Sequence, residues 1–78
     1  MSGRFPPLEC RDVKRILKNL GFVFIVQRGS HEKWQKTVNG MLFSVTVDCP
    51  KAPFSQTLIT SMASQAGVSK KDFYAALT

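Results

Sequence analysis

His31-Glu32-Lys33-Trp34-Gln35-Lys36-Thr37-Val38, then Asn39-Gly40, then Met41-Leu42-Phe43-Ser44-Val45-Thr46-Val47-Asp48: this stretch decides the fold. Asn-Gly between two runs of strand-forming residues is the strongest short-range signal for a two-residue type I′ turn. The run after it alternates cleanly, with Met41, Phe43, Val45 and Val47 on one face and Leu42, Ser44, Thr46 and Asp48 on the other. The run before it alternates less regularly and reads as the partner strand. Upstream, Phe22 to Arg28 is rich in β-branched and aromatic residues and reads as a further strand, joined to the middle one by a turn at Gly29-Ser30. Three strands linked by short turns make an antiparallel meander, covered on one face and open on the other.

Helical spacing flanks the meander on both sides. Between Glu9 and Leu20, the apolar residues Val13, Ile16, Leu17 and Leu20 fall on one face, and Gly21 follows where a left-handed cap belongs. Arg11, Lys14, Arg15 and Lys18 repeat at the same interval and form a basic stripe. Such a stripe is ordinarily a solvated face, but one sign of charge in one row also suits a phosphate or an acidic protein. After a loop with two prolines, Cys49 to Phe54, Ser55 is placed to cap a second helix. That helix is uncharged, buries Leu58, Ile59, Met62, Ala63 and Ala66, and stops at Gly67. Ser69-Lys70-Lys71-Asp72 opens a short third helix anchored by Phe73 and Leu77. The order predicts an α+β fold, α-β-β-β-α, with a three-stranded antiparallel sheet, helices on one of its faces and a helical tail. Residues 1–8 read as a flexible or extended leader, and residues 9–78 as a single domain.

Several function classes drop out on composition. No apolar run exceeds the five residues Phe22 to Val26, far short of the roughly 20 that span a bilayer. Met1 to Pro7 lacks the apolar core of a signal peptide. A cytoplasmic protein with reduced thiols is therefore expected, with no membrane association. Cys10 and Cys49 lack metal-type spacing and are read as unpaired, partly buried small residues, so neither a zinc site nor another cofactor is expected. The formal charge of +6 on 78 residues suits a polyanion such as nucleic acid, or an acidic protein.

The chemistry-bearing candidate is Arg28-Gly29-Ser30-His31, which holds the only histidine of the chain. Imidazole is the side chain suited to proton transfer near neutral pH. Arg28 and Lys33 flank it in sequence, and the Gly29 and Ser30 amides lie at the turn, where backbone N–H groups can cradle a phosphate. The plainer alternative is a surface histidine at a hairpin corner. Trp34, three residues beyond the turn, is expected in the core, with stacking on a nucleobase as the alternative.

Four segments in order resemble the HicA toxin family of bacterial toxin–antitoxin systems. They are Arg11 to Phe22 with its Leu-Gly-Phe exit, Gln27-Arg28-Gly29-Ser30-His31, Val45-Thr46-Val47, and Leu58 through Gln65-Ala66-Gly67. The resemblance implies a fold like the double-stranded-RNA-binding domain. It implies an endoribonuclease (an mRNA interferase) that arrests translation, and a HicB-like antitoxin that neutralises it. It places catalysis on His31. Such chemistry needs no metal: a base takes the proton of a 2′-OH, which attacks its own phosphate, a role worth roughly 10²–10⁴-fold. Arg28, Gly29, Ser30, Lys33 and Lys36 are the expected RNA contacts at the site, with Arg11, Lys14, Arg15 and Lys18 extending the footprint.

Where members of that family often carry further histidines, this chain has Glu32 and Asp48-Cys49-Pro50. The surroundings of His31 are thus expected to be less basic than usual and the enzyme slow. The rival reading is a non-catalytic RNA-binding or protein-interaction module of the same fold. It is disfavoured because Ser55-Gln56-Thr57 stands where RNA-binding domains of the double-stranded type place lysines.

Overall fold

The structure, a computed structural model, describes residues 5–78. Its elements run α1 (Cys10–Asn19), β1 (Val23–Arg28), β2 (His31–Val38), β3 (Met41–Asp48), a short 3-10 turn (Cys49–Lys51), α2 (Gln56–Gln65) and α3 (Lys70–Ala75). The sheet has the order β1-β2-β3, with both pairings antiparallel. This is the expected α+β fold like the double-stranded-RNA-binding domain. None of the described helices is long and apolar enough to cross a membrane.

Turn chemistry fixes the sheet. Asn39 and Gly40 both take positive φ, 52° and 79°, as a type I′ turn requires, so Val38 faces Met41. The pairing continues without a slip to His31 opposite Asp48. At the other end Gly29 has φ 60° while Ser30 does not, the pattern of a type II′ turn, and Arg28 faces His31.

Strand alternation then sorts side chains onto two faces. Trp34, Val45 and Val47 are buried beneath the helices with Val13, Ile16 and Leu17 of α1 and Ile59, Met62 and Ala63 of α2. Phe73 of α3, Leu8 and Phe54 complete this core. Trp34 is therefore a core residue, held edge-on to Phe24 with ring centroids 5.8 Å apart.

Local caps set the helix ends. Glu9 and Asp12 form a capping box on α1, in which the Glu9 backbone N–H donates to Asp12 Oδ2 at 2.9 Å. Ser55 and Ser69 accept from the backbone N–H groups of Leu58 and Asp72. At the far end of α1, Lys36 Nζ donates to the Leu20 carbonyl at 2.6 Å. Of the expected leader, residues 1–4 lie outside the described residues. Within residues 5–8, Leu8 is fully buried and its carbonyl accepts from the Phe54 N–H, so this part lies against the domain.

Two features depart from the sequence reading. Cys10 and Cys49, expected as unpaired reduced thiols, are joined in a disulfide. Packing of α1 over β3 brings the first residue of the helix beside the first residue after the strand, a proximity that their 39-residue separation does not reveal. The second departure is β1, whose six residues are all exposed although four of them are large and apolar. Val23 is 58% and Ile25 47% exposed, because the helices pack over β3 and β2 and leave the β1 edge uncovered. The register shifts between Phe24 and Val26, a bulge of the kind that blunts an open edge.

Gly67 closes α2 with φ 78°, and a Cβ placed there would stand 2.6 Å from Phe43 Cε1. Substitution Gly67→Ala thus meets both a left-handed backbone and a steric clash. The backbone effect alone costs roughly 1–2 kcal/mol. Thermal unfolding of the variant should show a clear drop in Tm, and an unchanged Tm would contradict this packing.

Candidate active site

The open face of the sheet carries the candidate site as a small grid. One cross-strand row is Arg28, His31 and Asp48; the next is Val26, Lys33 and Thr46. Cross-strand partners share a face, so the guanidinium of Arg28 and the ammonium of Lys33 are directed to the same side as the imidazole. Val26, Arg28, His31, Glu32, Lys33 and Thr46 line an open cleft of about 520 Å³. The His31 side chain is 59% exposed, and its Nε2 lies 3.4 Å from Asp48 Oδ2.

A second cleft, of about 200 Å³, begins at the same histidine. It runs from His31, Thr46 and Asp48 along the outer edge of β3 towards Lys51, Ser61 and Gln65. Gln65 Oε1 accepts from the Thr46 backbone N–H at 3.2 Å, which ties α2 to that edge. His31 therefore stands where two surface clefts meet, reachable by a chain passing from one to the other.

The neighbouring carboxylate on β2 is turned away from this grid. Glu32 is buried, receives the Trp34 indole N–H on Oε1 at 3.2 Å, and pairs through Oε2 with Lys14 Nζ at 2.9 Å. The expectation that Glu32 makes the surroundings of His31 less basic does not follow, because successive residues of a strand face opposite sides. The acidic group that does touch His31 is Asp48. Cys10, Glu32 and Cys49 bring ligand atoms within 4.8 Å of one another, but the two sulfurs are bonded to each other.

Residues 10–68 match the family described as HicA toxin of bacterial toxin–antitoxin systems. The chain belongs to the HicA toxin family. No curated protein and no solved structure matches it. Membership makes the chain a toxin and implies an antitoxin partner.

Within this HicA toxin the RNA contacts expected from the sequence fall into two groups and one outlier. Arg28, Gly29, Ser30 and Lys33 gather around His31, as the hairpin dictates. Arg11, Arg15 and Lys18 lie on α1, across the sheet from His31, where with Lys14 and Asn19 they border a separate shallow groove. Among the described residues these three form no ion pair, whereas Lys14 is engaged by Glu32. Lys36 belongs to neither group, since its ammonium caps α1 and lies 5.8 Å from the Phe22 ring centroid. Thr46, Asp48 and Lys51 were not singled out from the sequence as site residues. The signal was present for two of them: counting back from Asn39-Gly40 along both strands sets Asp48 opposite His31 and Thr46 opposite Lys33.

The inward half of β2 can be tested separately from the outward half. Glu32→Ala leaves the Trp34 N–H without its acceptor in a buried site, a loss of roughly 1–3 kcal/mol. The partly exposed Lys14 contributes less, because solvent screens its pairing. Glu32→Gln keeps an acceptor for Trp34 and should lose less stability in denaturant unfolding. Equal losses in the two variants would show that the indole hydrogen bond is not what matters.

Proposed function

We propose that this HicA toxin is a metal-independent endoribonuclease that cuts messenger RNA in the cytoplasm and so arrests translation, with residues 9–78 acting as one domain. A HicB-like antitoxin neutralises it. The observation that carries this reading is an exposed histidine set between two cations, Arg28 and Lys33, at the meeting point of two clefts.

The chemistry follows from the grid. The RNA backbone lies along the cleft with one phosphate against Arg28 and Lys33, whose charges offset those that build on the phosphorus oxygens. The adjacent 2′-OH gives its proton to neutral His31 and its oxygen attacks the phosphorus. The bond to the 5′ oxygen breaks, and water or a surface cation protonates that leaving oxygen. Gly29 and Ser30 bring backbone N–H groups to the same corner. The groove of Arg11, Arg15 and Lys18 on α1 supports a longer electrostatic footprint, which makes binding salt-dependent through counterion release. The net charge of +6 likewise favours fast encounter with an acidic antitoxin.

His31→Ala separates cleavage from binding. The exposed side chain leaves no cavity when removed, so the variant should fold and bind RNA with affinity close to wild type. Its cleavage of RNA should vanish, and its expression without an antitoxin should no longer stop growth. RNA methylated at every 2′-OH should bind and stay intact. Cleavage by His31→Ala at the wild-type rate, or cutting of the methylated RNA, would refute the mechanism.

A further inference from the structure

His31 has a partner that the ribonuclease reading does not use. Asp48 is its cross-strand neighbour, and the carboxylate reaches His31 Nε2 through Oδ2 at 3.4 Å. The other oxygen, Oδ1, is buried and has no hydrogen-bond partner. The Asp48 side chain is only 20% exposed, so the carboxylate is held in place with the imidazole as its one charged contact. Backbone on both sides restrains it: β2 pairs with it at the end of β3, and the next residue, Cys49, is bonded to Cys10 of α1. A carboxylate held this way, with one oxygen unpaired, points to a group whose charge is wanted beside the histidine.

We propose that Asp48 is a positioning residue for His31. It holds the ring with Nε2–H towards Oδ2, and it stabilises the imidazolium that forms when the other nitrogen, Nδ1, takes a proton. Neither ring nitrogen makes a hydrogen bond to the protein among the described residues; Nε2 is the one that faces the carboxylate, at 3.4 Å, which leaves Nδ1 for the substrate. The charged groups around the ring make this role specific. Arg28 from β1, Lys33 from β2 and Lys51 from the turn after β3 are cations, and α2 contributes no charge. Each of those cations opposes a positive imidazole, and Asp48 is the one anion against it on this face. The proton balance is simple: one proton moves from the 2′-OH to Nδ1, while the Nε2 proton stays between ring and carboxylate.

This inference rests on the ribonuclease reading for its meaning but not for its test. His31 is the only histidine in the chain, so its carbethoxylation by diethyl pyrocarbonate is read by ultraviolet absorbance without interference from another histidine. Wild type, Asp48→Asn and Asp48→Glu are compared at a pH where the imidazole is neutral in all three. Asp48→Asn keeps the shape and removes the charge, so the ring should react several-fold more slowly, and Asp48→Glu should recover part of the rate. On RNA, Asp48→Asn should lower kcat by roughly tenfold or more, the lower end of what a charge this close supplies at a partly exposed site. Its KM should stay the same or fall, since a carboxylate beside a phosphate opposes binding. Unaltered kcat and modification rate in Asp48→Asn would overturn the proposal, as would equal behaviour of Asn and Glu. Should the wild-type chain leave RNA intact, the ribonuclease reading falls, and the modification rates still decide whether Asp48 acts on His31.

Discussion

The register of β2 is the constraint on which everything else depends. One residue of slip would turn Glu32 and Trp34 out to solvent and drive His31 and Lys33 under the helices. The strand is pinned against that slip from both ends and from below. Two-residue turns fix Arg28 opposite His31 and Val38 opposite Met41. Beneath the sheet, Glu32 is satisfied by the Trp34 indole and Lys14, so the correct register is also the one in which a buried carboxylate finds its partners. The same pleat that buries an acid on one side presents a histidine and two cations on the other.

Local signals in the chain were enough to read most of this. Asn39-Gly40, the alternation from Met41 to Asp48, and the capping serines 55 and 69 each act within a few residues, so their consequences could be written down before any contact was known. The place of His31 at the Gly29-Ser30 turn also follows from local pattern. What was not legible depended on how helices sit over the sheet. The Cys10–Cys49 bond needs α1 to lie across β3. The burial of Glu32 needs a lysine on that helix to reach it. The exposure of β1 follows from where the helices stop covering the sheet, which its own apolar sequence contradicts. Lys36 looked like one more cation of the site, yet strand alternation sends it to the end of α1 instead.

The site itself is a consequence of hairpin arithmetic more than of any single motif. Gly29-Ser30 sets Arg28 beside His31, and Asn39-Gly40 sets Asp48 on its other flank. His31 thus stands between a guanidinium and a carboxylate on one face of the sheet. The bulge at β1 and the tie from Gln65 to Thr46 shape the two clefts that lead to it.

The central claim is that His31 activates the RNA's own 2′-OH without a metal. The most direct measurement is the chemistry of the ends left on RNA cut by the purified chain in the presence of a strong chelator. A base acting on the 2′-OH leaves a 2′,3′-cyclic phosphate, or its opened monophosphate, on one fragment and a 5′-OH on the other. Mass spectrometry of the fragments should find those ends. Fragments ending in 3′-OH and 5′-phosphate, or cutting that stops when divalent ions are removed, would contradict the account.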